Sequence, residues 1–188
     1  MGKKCNYCAF YVSEPFNEST LGANATKDFC YYNMLKAWKG LDITFPFNNA
    51  HATTYNVRDN SDWELTLKPR LRERLRNSKN IIFILSTSTL NSRALREELD
   101  YGINALGLPV IVLYPDFKSS ESLLNISNTD FNSAVISLWN KIPTFRDSKS
   151  KIPVLHIPMV KETIRGALND PDFNIETKIK QGDYYNNR

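Results

Sequence analysis

Two short stretches of the chain are apolar at almost every position, and they restrict the possible folds more than any other feature. They read NIIFILS at 80–86 and LPVIVLY at 108–114. A strand with apolar side chains on both faces must be covered on both faces, which is typical of parallel sheets packed between helices. Segments with helical patterning separate such strands. The sequence therefore predicts an α/β fold, a doubly wound, mostly parallel sheet flanked by helices.

The rest of the chain continues this alternation of strands and helices. Further strands are predicted at 5–12, 42–47 and 152–159. Helices are predicted at 27–40, 67–76, 91–106, 130–142 and 160–169. Ser61 and Glu64 have capping-box spacing ahead of the second helix, and Pro69 predicts a kink or a restart within it. We expect a single domain over 1–170, followed by a partly flexible C-terminal tail over 171–188.

The composition excludes several broad classes of protein. Of the 188 residues, 41% are hydrophobic, which favours a folded core over disorder. The net charge of +4 is too small by itself to indicate nucleic-acid binding. The first residues lack the pattern of a signal peptide, and no run of about 18 apolar residues occurs. We therefore expect a cytoplasmic protein without a membrane span.

Common phosphate- and metal-binding motifs are missing from the sequence. It contains no G-x-G-x-x-G, no G-x-x-x-x-G-K-[ST] and no G-x-S-x-G, the signatures of dinucleotide-binding, P-loop and hydrolase folds. Cys5 and Cys8 have C-x-x-C spacing but lie in a predicted strand, and Cys30, His51 and His156 add no zinc-finger spacing. We expect reduced thiols and no metal site.

Ligands of a doubly wound fold bind outside the carboxyl ends of its strands. The positions to watch are therefore 10–14, 47–51, 86–89 and 114–116. A basic stretch at 68–79 offers a second possible site. Four of its side chains fall within about 80° on a helical wheel: Lys68, Arg72, Arg76 and Lys79. They form either a face that binds phosphate or nucleic acid, or a solvated helix face that Glu73 partly balances, and we favour the second interpretation.

Two adjacent glutamates in NSRALREELDYG, residues 91–102, are the strongest candidates for chemistry. One arc of the helix, about 80° wide, must face the sheet and holds Leu95, Leu99, Ile103 and Leu106. Glu97 lies about 165° from the centre of that arc, so we expect it to point to water. Glu98 lies about 95° from the centre, where partial desolvation raises the pKa of a carboxyl group. Capping or a salt bridge is the alternative role for Glu98.

The same region resembles TIR and TIR-like domains. In that family a strand ending in Ser or Gly leads through a Ser/Thr loop into a helix of the form S-x-W-x-x-x-E-[IL]. Here the helix reads SRALREEL at 92–99, so the family's glutamate falls on Glu98, and Ala94 stands where many relatives have Trp. CAFYVSE stands in place of the family's first strand. The similarity extends over roughly 4–116 and is greatest to the ThsB family of bacterial Thoeris anti-phage systems.

This resemblance implies a flavodoxin-like sheet and NAD chemistry. Enzymatic TIR domains break the bond between nicotinamide and ribose, and the resemblance makes Glu98 the catalytic residue that stabilises the developing oxocarbenium ion. The substrate-binding positions implied are Phe10, Tyr11, Ser86 and Ala94. Of these, Phe10 or Tyr11 is placed to stack on the nicotinamide or adenine ring. NAD is the substrate, so no cofactor is expected.

In Thoeris relatives the product is a cyclised or otherwise modified ADP-ribose, which acts as a signal for a separate NAD-consuming effector. The resemblance also implies self-association through TIR surfaces, and no nucleic-acid or membrane partner is expected. The small Ala94 predicts low activity on NAD alone. Two alternatives stay open: a non-catalytic adaptor module that self-associates, and a nucleotide-binding sensor that uses Arg72 and Arg76.

Overall fold

The computed structural model describes residues 2–13, 26–52 and 62–185, and in these ranges the chain forms a five-stranded sheet whose pairings are all parallel. The strands lie side by side in chain order: β1 (Cys5–Ala9), β2 (Ser78–Ile84), β3 (Val110–Tyr114), β4 (Pro153–Pro158) and β5 (Gly182–Tyr185). The predicted doubly wound, parallel, flavodoxin-like architecture is confirmed.

Six α-helices in the described ranges cover the two faces of this sheet. They are α1 (Lys27–Leu41), α2 (Lys68–Arg76), α3 (Arg93–Leu99), α4 (Ser133–Lys141), α5 (Pro143–Ser148) and α6 (Lys161–Asn169). Residues of α2 to α5 pack on one face, and residues of α1 and α6 pack on the other. A π-helical turn, Trp63–Leu67, precedes α2, so the chain restarts its helix next to Pro69 as predicted. Another π-helical turn, Asp100–Ala105, extends α3.

Strand β2 shows why its sequence is apolar throughout. Ile81 and Phe83 point into the core beneath α2 to α5, whereas Ile82 and Ile84 point into the core beneath α1 and α6. All four side chains are completely buried. Burial of each contributes roughly 1.5–3 kcal/mol, so a polar residue at any of these positions would weaken one of the two cores.

The prediction of a strand at 42–47 is wrong. The segment begins with a turn in which Phe45 N–H donates to the Asp42 carbonyl at 2.9 Å. Phe45 and Phe47 are buried in the core beneath α1 and α6, so the apolar alternation reflects side-chain burial without strand pairing. Pro46 also lacks the N–H that a ladder needs. Within the described ranges a single bridge joins Asn49 to Asn6, and β1 is otherwise the outermost strand of the sheet.

Two parts of the C-terminal tail that we expected to be partly flexible, 171–188, form regular structure. A 3-10 turn, Pro171–Phe173, accepts a hydrogen bond from Asn80 Nδ2 at the Phe173 carbonyl, 2.9 Å away. Strand β5 then pairs with β4 along its whole length. Its four residues alternate between half-buried and exposed. An edge strand this short and polar carries no apolar run for sequence analysis to detect.

Some sequence predictions fall on residues outside the described ranges. Ser61, the expected capping residue, is one of them, and the side chain of Asp62 instead accepts the capping hydrogen bond from Leu65 N–H at 2.7 Å. Most of the loop predicted at 48–62 also lies outside the described ranges. Across the described part of the chain, no helix has the length and apolar character needed to cross a bilayer.

Candidate functional site

Helix α3 sets the orientation of both candidate glutamates. Ser92 is its N-cap, and the Ser92 side chain accepts a hydrogen bond from Leu95 N–H at 3.2 Å. Leu95 and Leu99 are fully buried against the sheet, which fixes the rotation of the helix. That rotation brings Glu98 to the side of α3 that lies against β1.

Glu98 is half-buried, and its two carboxyl oxygens have different surroundings. Oε1 accepts a hydrogen bond from the Tyr7 hydroxyl at 2.8 Å. Oε2 is buried and has no hydrogen-bond partner in the described ranges. Burial raises the pKa of Glu98 to about 8, although the Tyr7 hydrogen bond and the charge of Arg74 act in the opposite direction. This rise in pKa agrees with the direction expected for a carboxyl group at the edge of the buried stripe. Oε2 still lacks a hydrogen-bond donor among the described residues.

The prediction that Glu97 points to water is wrong. Its side chain is only 16% exposed and accepts a hydrogen bond from Arg72 Nε at 2.6 Å. Lys68 Nζ lies 3.8 Å from the other carboxylate oxygen. Helix α2 packs beside α3 and covers the face that a helical wheel, which considers one helix at a time, assigns to solvent. Glu97 is thus the residue with the salt-bridge role.

This contact also decides between the two interpretations of the basic stretch. Arg72 is committed to Glu97, and Arg76 Nε donates to the Tyr101 hydroxyl at 2.8 Å. Lys79 Nζ donates to the Leu168 carbonyl at 3.1 Å. Because these side chains already have partners within the chain, their contacts argue against the phosphate-binding or nucleic-acid face considered for them.

An aromatic cluster continues from Tyr7 toward the carboxyl end of β1. The Tyr7 ring lies 4.7 Å from the His51 ring, centroid to centroid, and Phe10 stacks on Tyr32 at 4.6 Å with planes 16° apart. The Phe10 and His51 centroids are 6.3 Å apart. Phe10 packs against the core beneath α1 and α6 and is half-buried, so part of its surface stays open. A flat ring of a ligand is the kind of group that fits such a surface.

His51 is a neutral member of this cluster. Its Nε2 lies 2.9 Å from the Cys8 carbonyl oxygen, so Nε2 carries the proton and donates. Its Nδ1 then accepts from Arg74 Nη1 at 3.4 Å. Burial and the neighbouring Arg74 charge lower the pKa of His51 to about 4. His51 therefore ties the segment after α1 to β1 and carries no charge near Glu98 at neutral pH.

The structure places Ser86 and Tyr11 around a different carboxylate, that of Asp28. Ser86 Oγ and Thr89 Oγ1 donate to Asp28 at 2.6 Å and 2.7 Å, and the Tyr11 backbone N–H donates at 3.4 Å. Asp28 is fully buried in the first turn of α1, and burial raises its pKa although these hydrogen bonds lower it. Asp28 thus joins the carboxyl ends of β1 and β2, and the substrate-binding roles of Ser86 and Tyr11 stay predictions.

Ala94 lies in the first turn of α3, one helical turn before Glu98, and is half-buried. No group of three or more His, Cys, Asp or Glu side chains in the described ranges could hold a metal ion. The structure therefore places Ala94 one turn before Glu98 on α3 and links Phe10 to Tyr7 through the His51 ring. It joins Ser86 with Tyr11 at Asp28.

A family model described as Thoeris protein ThsB, TIR-like domain, matches residues 7–120, more than half of the chain. The chain belongs to the ThsB TIR-like family. The matched part contains β2, β3 and helix α3, and it includes both Tyr7 and Glu98. The suspected resemblance is thereby confirmed, and the chain carries a TIR-type domain of Thoeris defence.

Sequence reasoning missed three residues of this ThsB TIR-like domain that surround Glu98: Tyr7, His51 and Arg74. The role of Tyr7 could have been predicted from the sequence. It faces the same core as Ala9 within β1, whereas Cys8 faces the other core. A tyrosine in a strand buried on both faces must find a partner for its hydroxyl, and the nearest helix on that face carries Glu98. His51 lay in a watched segment, but its pairing with Arg74 depends on tertiary structure alone.

Proposed function

We propose that this TIR-like domain cleaves the nicotinamide–ribose bond of NAD. It converts the remainder into a cyclic or otherwise modified ADP-ribose, which a separate NAD-consuming effector receives as a signal. Membership of the ThsB TIR-like family supports the substrate class. The observation that carries the proposal is the state of Glu98: one oxygen held by Tyr7, the other buried with no donor in the described ranges.

The chemistry needs few groups from the protein. Nicotinamide is positively charged in NAD and leaves as a neutral molecule, so its departure requires no general acid. The ribose develops positive charge as the bond breaks, and an ionised carboxylate stabilises that charge. Glu98 supplies it through Oε2, which is free to accept a hydrogen bond from a ribose hydroxyl. The positive charge of the nicotinamide ring, bound near Glu98, also favours the ionised form of that carboxyl group.

The neighbouring side chains fit the rest of the substrate. The open part of Phe10 offers a stacking surface for an aromatic ring of NAD, and Tyr32 supports Phe10 from behind. Ala94 leaves the first turn of α3 without a large side chain beside Glu98. The tryptophan that many relatives have at this position is missing, and this is the reason for expecting low activity on NAD alone.

The test is Glu98→Gln, with Glu97→Gln as the matched control on the adjacent position. We expect Glu98→Gln to abolish nicotinamide release and signal production. Glu97→Gln loses its ion pair with Arg72 but should keep most of the activity. Nicotinamide and ADP-ribose products are measured by chromatography after incubation of purified protein with NAD, and in extracts of phage-infected cells. Full activity in Glu98→Gln would refute the assignment.

The alternative is a non-catalytic adaptor that self-associates through TIR-type surfaces. The observation in its favour is that Glu98, with a pKa of about 8, is mostly protonated at pH 7 and could serve as a buried structural partner of Tyr7. The two functions separate cleanly in the same assay. In extracts of infected cells that contain the native protein and lack the separate effector, an adaptor yields neither nicotinamide nor a modified ADP-ribose. An enzyme yields both and loses them in Glu98→Gln.

A further inference from the structure

Tyr7 forms a direct contact with Glu98, although the departure of nicotinamide needs no group from a phenol. We propose that Tyr7 is a positioning residue that gives the two oxygens of Glu98 different tasks. Its phenol holds Oε1, so Oε2 is the oxygen left to gain or lose the proton and to accept a hydrogen bond from the substrate. The role in catalysis rests on the proposed function, whereas the division between the two oxygens rests on the contact itself.

The geometry holds the phenol in a fixed place. Tyr7 is 1% exposed and lies inside β1, paired with Ile81 of β2. The His51 ring packs against its ring at 4.7 Å. Glu98 belongs to α3, whose buried leucines set its rotation. A strand and a helix thus fix the two ends of the 2.8 Å hydrogen bond, which leaves the Glu98 carboxyl little freedom to rotate.

The direction of the hydrogen bond follows from the protonation of Tyr7. Burial raises the pKa of the Tyr7 phenol well above 10, and the nearby Glu98 raises it further, so the phenol keeps its proton near neutral pH. It therefore donates to Oε1 whether or not Glu98 is ionised. In the neutral acid the proton must then sit on Oε2. When Glu98 ionises, that proton goes to solvent, and Oε2 becomes an acceptor for a ribose hydroxyl.

Glu98 is also the group around this contact that titrates between about pH 6 and pH 9. His51, in the segment after α1, has a pKa of about 4 and is neutral throughout that range. Burial raises the pKa of the Cys8 thiol in β1 well above 9. Arg74 of α2 stays charged, as arginine does in proteins. A pH titration across this range therefore reports on Glu98.

The test is Tyr7→Phe, which keeps the ring packed against His51 and removes only the hydroxyl. Without its donor, ionised Glu98 loses a charge-assisted hydrogen bond, so we expect the midpoint of its titration to rise by about one pH unit. Carbon-13 NMR of protein labelled at the glutamate side-chain carboxyl follows the midpoint directly, and Glu98→Gln identifies the signal. The pH profile of kcat/KM for NAD should move in the same direction, with a roughly tenfold loss at pH 7.

Tyr114→Phe is the matched control. Tyr114 is a completely buried tyrosine of β3 whose hydroxyl accepts from Trp139 Nε1 at 2.7 Å and lies 2.8 Å from His156 Nδ1. Its loss should destabilise the protein without moving the titration of Glu98. An effect on the Glu98 midpoint that is equal in both variants would show a merely structural role for Tyr7 and would overturn the proposal.

The remaining outcomes are also decisive. An unchanged midpoint in Tyr7→Phe overturns the proposal, whatever happens to activity. If the native protein releases no nicotinamide, the proposed function fails, but the NMR titration still tests Tyr7. If Tyr7→Phe does not fold, 3-fluorotyrosine incorporated at position 7 replaces it. This more acidic phenol is a stronger donor and must lower the Glu98 midpoint, and no change would overturn the proposal.

Discussion

Replacement of Glu98 by Gln should stabilise the protein at high pH, although it removes a native hydrogen-bonding carboxylate. The pKa of Glu98 is about 8 in the fold, against 4.5 for an ordinary glutamate. Between these values the native state keeps a proton that the unfolded chain has lost. The native chain therefore loses stability as the pH rises from about 4.5 to about 8. Gln carries no charge in either state, so the variant escapes this loss.

The size of the effect follows from the same two values. The difference between 4.5 and about 8 corresponds to about 5 kcal/mol of unfolding free energy. Glu98 keeps partial exposure to solvent, and screening there reduces the figure to about 2 kcal/mol. At pH 5 the native chain and Glu98→Gln should therefore have nearly the same free energy of unfolding. At pH 9 the variant should be more stable by about 2 kcal/mol or more.

Urea unfolding at pH 5, 7 and 9, followed by circular dichroism, measures this difference. Glu97→Gln serves as the control, because it removes a carboxylate one residue away that is ion-paired with Arg72. That variant should be less stable than the native chain, by up to about 1 kcal/mol. Equal stability of the native chain and Glu98→Gln at pH 9 would refute the claim that Glu98 is buried and ionises at a cost.

Two further predictions concern other parts of the molecule. Phe10→Ala removes the stacking surface supported by Tyr32, so the KM for NAD should rise roughly three- to tenfold with a smaller change in kcat. Steady-state kinetics of nicotinamide release checks this, and an effect confined to kcat would contradict the stacking role. Asp183→Asn weakens the contacts of β5 with His156, 3.0 Å away, and with Lys149, so the free energy of unfolding should fall by about 1–3 kcal/mol. Hydrogen exchange should become faster in β5 before it does in β2 and β3, and uniform acceleration over the sheet would count against this local role.

The central part of the fold is readable from the sequence because β2 and β3 are buried on both faces. Their side chains must be apolar at consecutive positions, and few other structures demand that pattern. The position of Glu98 is readable for a similar reason. The leucines of α3 set the rotation of the helix, so the residue at the edge of their stripe meets the neighbouring strand. Both predictions depend only on local periodicity and burial.

The errors arise where a neighbouring element decides the outcome. Glu97 lies opposite the sheet on its own helix, but α2 packs against that side and supplies Arg72. Phe45 and Phe47 show the alternation of a strand, yet they fill a core from an irregular segment. Strand β5 is short and polar, and it owes its place to Asp183 and to pairing with β4. Apart from Pro46, which already argues against a strand at 42–47, the features that decide these segments lie in neighbouring elements.

The position of β1 at the rim of the sheet affects how the contact between Tyr7 and Glu98 is lost when the protein begins to unfold. Tyr7 lies on this strand, and among the described residues a single bridge between Asn6 and Asn49 continues the sheet on its outer side. Strands at a rim open locally at lower free energy than strands in the middle. Opening of the rim separates Tyr7 from Glu98 while β2, β3 and β4 stay paired. Heat or denaturant should therefore abolish the proposed reaction in a chain that is still largely folded.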